Sequence, residues 1–154
     1  MSSLDPSQFI KTQSYGVLST HSQTEIGYPF GSITPYIVTA DGHLAIFISH
    51  LAEHTHNIQT NNKVSLTIFD PADAENPTAG PRISCLADAE QAQDEKLLRQ
   101  QYLKRFPDAE TTLELPGFYF YLLKLTKVRL VAGFGQVKWL TAPQLTLHHQ
   151  QLNA

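Results

Sequence analysis

The sequence predicts a mainly β, α+β fold: a β-barrel with two or three short helices attached. Three observations predict it. Short runs rich in Ile, Val, Phe and Thr recur along the chain, about six or seven in all. Gly, Pro, Asn and Asp separate many of them, as turn chemistry requires. Helical patterning is clearest in one stretch, Asp94 to Phe106. A length of 154 residues, with 42% apolar and 16% charged residues, fits one domain with a real core spanning 1–154, its tail beginning near residue 141.

The elements follow in order. A helix containing Phe9 and Ile10 precedes a strand over Tyr15 to His21. In the IGYPFG segment, Gly27, Pro29 and Gly31 mark irregular backbone. Ser32 to Thr39 and His43 to Ser49 read as strands, with Ala40-Asp41-Gly42 as the hairpin signal between them. Leu51 to Asn61 reads as a short helix, and Lys63 to Phe69 as a strand. Pro71 to Pro81 is a polar loop too short to divide domains, and Arg82 to Glu90 resumes β character. In the Asp94 helix, acids lead and Lys104 and Arg105 trail, Pro107 stops the run, and Leu97, Leu98, Tyr102 and Phe106 are expected on one side. Gly117 to Ala132 is a long strand, expected to continue as Gln136 to Leu140 past a bulge at Gly133-Phe134-Gly135.

Composition narrows the function. A net charge of -3 and a pI near 6.1 oppose a general nucleic-acid or membrane-surface binder. The single cysteine, Cys85, permits no internal disulfide and suits a reducing cytoplasm. The opening MSSLDPSQFIKTQ lacks the basic start and apolar core of a secretory signal, and no apolar run reaches membrane-spanning length; a soluble, cytoplasmic protein is expected.

Three segments carry candidate chemistry. In SHLAEHTHN, a strand runs into a helix start, where free N–H groups and the helix dipole favour an anion. Ser49 or His50 is expected to cap this helix, and His50, His54 and Asn57 to share a face. Phosphate recognition by Ser49, His54 and Thr55 stands beside plain capping as an alternative; a metal site would need a third ligand. In YPFGSITPY, alternation puts Ser32, Thr34 and Tyr36 on one face and Ile33, Pro35 and Ile37 on the other. Pro35 marks an edge strand or a bulge. In GFGQVKW, Lys138 occupies the place of the third glycine of a dinucleotide fingerprint, so the segment is not one; Lys138 by charge or Trp139 by stacking remains a ligand-lining candidate. Cys85 reads as a small buried strand residue, and Asp70, Asp73 and Glu75 as solvated loop acids.

Taken together, GYPFGSITPY, ISHLAEHTHN followed by KVSLTIFD, PRISCLADAE, and FYFYLLKLTKVRLVAGFGQVKWL resemble the flavin-binding split-barrel superfamily typified by pyridoxamine 5′-phosphate oxidase. The likeness is greatest to its heme-utilisation branch, the HugZ-type proteins. It spans most of residues 15–140 in the family's order. The resemblance implies a six-stranded split barrel that forms a homodimer with cofactor sites between subunits. It further implies FMN as cofactor in a small flavoprotein oxidoreductase, held by Ser32, Thr34, Ser49, His54, Thr55 and Arg82. In such an enzyme the flavin carries the redox chemistry, so no side chain is singled out as catalyst. Pyridoxamine phosphate oxidation is not expected, because those enzymes use arginines near the C-terminus and nothing past Arg129 is cationic except Lys138 and the histidines. The alternatives are a heme-binding or heme-degrading protein with His148 or His149 on the iron, and a non-catalytic binding module.

Overall fold

A curled antiparallel sheet, its two edges joined by a single residue, organises the molecule. The computed structural model describes residues 4–133, 135–145 and 147. The strands are β1 (Tyr15–His21), β2 (Pro29–Pro35), β3 (Ile37–Val38), β4 (Leu44–Ser49), β5 (Lys63–Phe69), β6 (Arg82–Gln91), β7 (Phe118–Ala132) and β8 (Gln136–Thr141). The helices are α1 (Pro6–Thr12), α2 (Glu53–Thr60), α3 (Lys96–Arg105), α4 (Glu110–Leu113) and α5 (Ala142–Leu145). The sheet order is β2-β1-β5-β6-β7-β4-β3, with β8 added to the far half of β7. Eight strands and five short helices among the described residues exceed the numbers expected. The mainly β split-barrel class stands.

The expected strand Ser32 to Thr39 is broken at Tyr36, and the break closes the barrel. β2 pairs only with β1, whereas β3 pairs only with β4 at the opposite edge. Tyr36 bridges the two, its N–H donating to Ser14 at 3.2 Å and its buried hydroxyl to the Ile10 carbonyl. Ile37 is therefore buried, not on the exposed face with Ile33 and Pro35 as alternation predicts. Pro35 does end an edge strand, and Pro29 begins it.

Two other readings need correction. Gly133 to Gly135 is no bulge in a continuing strand: β8 folds back antiparallel on β7, pairing Ala132 with Gln136, and Gly135 takes a φ of 76°. The bulge lies instead in β7, where Thr126 is the extra residue opposite the Leu86–Ala87 step of β6. On α3, Leu98 and Tyr102 are buried and Phe106 partly so, while Leu97 is 55% exposed. Adjacent helical positions lie about 100° apart, so Leu97 cannot share the face of Leu98. Among the described residues past 141, Leu145 and Leu147 are buried in the barrel core.

One sheet face makes that core. Leu18, Leu66, Ile68, Ile83, Cys85 and Leu130 are all fully buried. A second cluster around Phe47, Tyr102 and Phe120 seats α3 and α4. The alternate residues of β1, β2, β5, β6 and the far half of β7 look outward and are partly or fully exposed.

Candidate functional site

The segment read as an anion site lies where β4 leaves the sheet. Apolar β4 ends at Ser49, whose Oγ accepts the Leu51 N–H at 3.1 Å. The chain turns once more before α2 starts, so Ala52 is the N-cap and no side chain caps the helix. Ser49 and His50 are thus too early to cap it, contrary to expectation. His50 lies outside the helix and uses Nδ1–H to reach the Gly117 carbonyl at 2.8 Å, away from His54.

Within α2, three side chains face the β1–β2 hairpin. His54 Nδ1 meets Ser32 Oγ at 3.1 Å, while its Nε2 is buried with no partner among the described residues. Burial pulls the His54 pKa below its ordinary value, so the ring is neutral at neutral pH. Fully buried Asn57 accepts the Gln23 N–H at 2.9 Å and donates to Thr20 Oγ1 at 3.0 Å. Glu53 accepts from the Thr24 hydroxyl at 2.5 Å. Helix and hairpin are held together by these bonds.

The structure thus brings Ser32 to His54 and Ser49 to Thr55. Two predicted contact groups are turned inward. Thr55 is 0% exposed and donates to the Ser49 carbonyl at 2.6 Å. Thr34 is buried and donates to the Pro35 carbonyl at 3.1 Å. Neither hydroxyl is free for a ligand within this chain, because a buried donor keeps the acceptor it has.

Arg82 stands elsewhere, on the outward sheet face. Its Nη1 donates to the Thr78 carbonyl at 3.1 Å. Cross-strand register aligns Ile33, Val17, Thr67, Ser84, Arg129 and Trp139 as one row across that face. The next row carries Ser19, Ser65, Leu86 and Lys127. Trp139 is half exposed, with Lys127 Nζ at 5.9 Å and Arg129 Cζ at 5.4 Å from its ring centre. Lys138, one residue away, points to the opposite face. A groove of about 500 Å³ adjoins these residues, lined by Ser19, His21, Lys63, Ser65, Leu86 and Asp88 among others. Sequence reasoning missed Lys127 and Arg129. The signal was their two-residue spacing in KVR, which places both on one strand face.

Cys85 is fully buried and its thiol is pushed up to about 12, as suits a core residue and not a nucleophile. Asp70 caps a short turn by accepting the Ala72 N–H at 2.9 Å, and Glu75 is exposed. No group of three or more metal-ligating side chains forms among the described residues. His148 and His149 lie outside the described residues. No helix is long and apolar enough to cross a membrane among the described residues.

Comparison with known proteins places this architecture. The chain is 36% identical over 121 residues to the non-canonical heme oxygenase HOZ, chloroplastic, of Arabidopsis thaliana; the match covers 77% of this chain and 36% of that protein. The chain thus spans about a third of that relative's length. Among solved structures, a heme binding protein from Mycobacterium smegmatis superposes with a TM-score of 0.79 at 23% identity, covering 90% of this chain and 57% of that one. Campylobacter jejuni ChuZ gives 0.75 at 22% identity, covering 89% and 58%. HutZ, a heme storage protein from Vibrio cholerae, gives 0.65 at 24% identity, covering 77% and 85%. At those identities the superpositions establish the fold. The family model for the CREG β-barrel matches residues 7–146. With its curled antiparallel sheet and that match over most of its length, the chain belongs to the CREG β-barrel family, within the split-barrel superfamily of the pyridoxamine phosphate oxidase type.

Proposed function

We propose that this protein binds heme in a heme-utilisation or heme-degradation role, as a homodimer with the cofactor between subunits. The observation that carries the reading is the relative named a heme oxygenase, 36% identical across 77% of this chain. Three structural neighbours named ChuZ, HutZ and heme binding protein support it. The outward sheet face suits a broad planar ligand in its chemistry. Val17, Ile33, Leu86 and Trp139 offer apolar contact, with the Ser65, Thr67 and Ser84 hydroxyls between them. Exposed Ile33, Val137 and Trp139 also give that face the apolar character of a surface awaiting a second copy. His148 or His149 serves as iron ligand, and bound heme supplies the iron at which ligand and oxygen chemistry takes place. The reading includes a cytoplasmic location, the reducing compartment that suits a buried, unpaired cysteine.

FMN is the second reading. It is favoured by α2 beginning without a side-chain cap, which leaves backbone donors for a phosphate. Thr34 and Thr55, turned inward, weigh against the rest of that contact set. The deciding experiment is the visible spectrum on titration with each cofactor. Heme binding at micromolar concentration gives a Soret band that weakens in His148→Ala and His149→Ala variants. Loss of that band with ascorbate and air, together with release of iron, marks degradation. Flavin bands without a Soret change reverse the order of the two readings. Sedimentation tests the homodimer: a stable monomer, with or without cofactor, removes the shared site.

A further inference from the structure

We propose that Arg82, Lys127, Arg129 and Trp139 form a strip that grips the acidic groups on the rim of a planar ligand, the two propionates of heme or the phosphate of a flavin nucleotide. The inference rests on the cofactor reading above and specifies which end of the ligand lies where.

Strand register makes the strip. Arg129 lies opposite Trp139 on β8 and opposite Ser84 on β6, which puts Arg82 on the diagonal, one row away. Diagonal neighbours are about 7–8 Å apart, within the span of long side chains. Lys127 precedes Arg129 by two residues and so projects from the same face. The bulge at Thr126, opposite the Leu86–Ala87 step, immediately precedes Lys127, so β7 itself departs from regular pairing there.

None of the three cations has an acidic partner among the described residues. The ion pairs among the described residues are Lys63–Asp88, Arg99–Glu95 and Lys124–Glu90. The register neighbours of the strip on its own face, Tyr15, Phe69, Thr67, Ser84, Leu86 and Val131, are neutral, and Asp88, the next outward residue beyond Leu86, is taken up by Lys63 at 2.6 Å. Three unpaired cations gathered on one face of a chain with net charge -3 create a local potential that attracts anions. Three cations are few for a nucleic-acid groove, and the overall charge opposes one. A small ligand with one or two acidic groups matches them better. Arg129 supplies a planar fork suited to carboxylate or phosphate, Lys127 a mobile point charge, and Trp139 a flat surface against a conjugated ring.

The test uses the double variant Lys127→Gln, Arg129→Gln and four probes: heme, its dimethyl ester, FMN and riboflavin. Heme and its ester share the ring and differ in the acidic groups; FMN and riboflavin differ in the phosphate. For the ligand that the wild type binds, the variant weakens the acidic form on the order of tenfold per lost charged contact. Affinity for the neutral partner stays at the wild-type value, which also shows the variant to be folded. Heme weakened selectively against its ester assigns the propionates; FMN weakened selectively against riboflavin assigns the phosphate. Wild-type affinity for the acidic form in the variant overturns the strip while leaving the cofactor reading standing. A selective loss of FMN with no heme binding upholds the strip and removes the heme reading. If neither heme nor FMN binds the wild type, both fall.

Discussion

Replacing Asn57 with Ala should release the hairpin formed by β1 and β2 from helix α2, and its cost follows from the bonds removed. The side chain is fully buried and satisfies two partners: the Gln23 N–H at 2.9 Å and Thr20 Oγ1 at 3.0 Å. Ala leaves both facing space that held a polar group. A buried group deprived of its partner costs roughly 1–3 kcal/mol. Gln23 is half-buried and recovers part of this from water, so its share is near the lower end. Thr20 is buried, and its other contact, to the Phe30 carbonyl, is long at 3.5 Å. Together these give a destabilisation of about 2–4 kcal/mol, with any unfilled volume adding to it. For a domain of this size that lowers Tm by roughly 5–12 °C. The assay is urea unfolding at fixed protein concentration, with Thr20→Val and the double variant completing a cycle. The two single losses should sum to about 1 kcal/mol or more beyond the double loss, because the same bond is removed in each. A loss below about 1 kcal/mol for Asn57→Ala, or strict additivity in the cycle, would refute the reasoning.

Three further outcomes are expected. His43 and His54 both titrate below the ordinary histidine value of 6.5, chiefly through burial, so the unfolded chain binds more protons than the folded one on the acid side. Stability should be full above pH 6.5 and fall as pH drops through the folded values; His43 adds to this because protonated Nδ1 cannot accept the Leu125 N–H it holds at 2.9 Å. A urea series from pH 8 to 5 in which the His43→Gln, His54→Gln variant keeps the wild-type slope would contradict this. Gly16→Ala would set its Cβ 2.6 Å from the backbone carbonyl of Thr67 on β5, and should cost about 2–3 kcal/mol in thermal unfolding; a neutral result would mean that the β1–β5 spacing yields freely. Cys85, with its thiol pushed up to about 12, should resist thiol reagents until the protein unfolds, and stoichiometric labelling of the native protein within minutes would show the core to be open.

Much of the sheet was legible because its signals are local. Tyr15–His21 and Lys63–Phe69 appear at the expected boundaries, and Pro35 marked an edge before any partner strand was known. The start of α2 was harder. Ser49 and His50 have the right chemistry for caps, yet the turn at Leu51 and Ala52 decides where the helix begins, and nothing in the side chains announces that turn. The hairpin at Gly133 was misread as a bulge because two glycines permit either, and only pairing of β8 against β7 decides. The candidate site was less legible than the fold. Ser32 and His54 meet only because the sheet curls and α2 packs beneath its edge. The cationic strip draws on strands 40–50 residues apart in sequence, and only the KVR alternation hinted at it.

The two prolines that bracket β2 also govern how copies of this chain can meet. Pro29 and Pro35 have no N–H, so each end of this free edge lacks a donor that an added strand would need. Extension of one sheet into the next through β2 is therefore disfavoured. Open-ended growth of a continuous sheet through this edge is disfavoured with it.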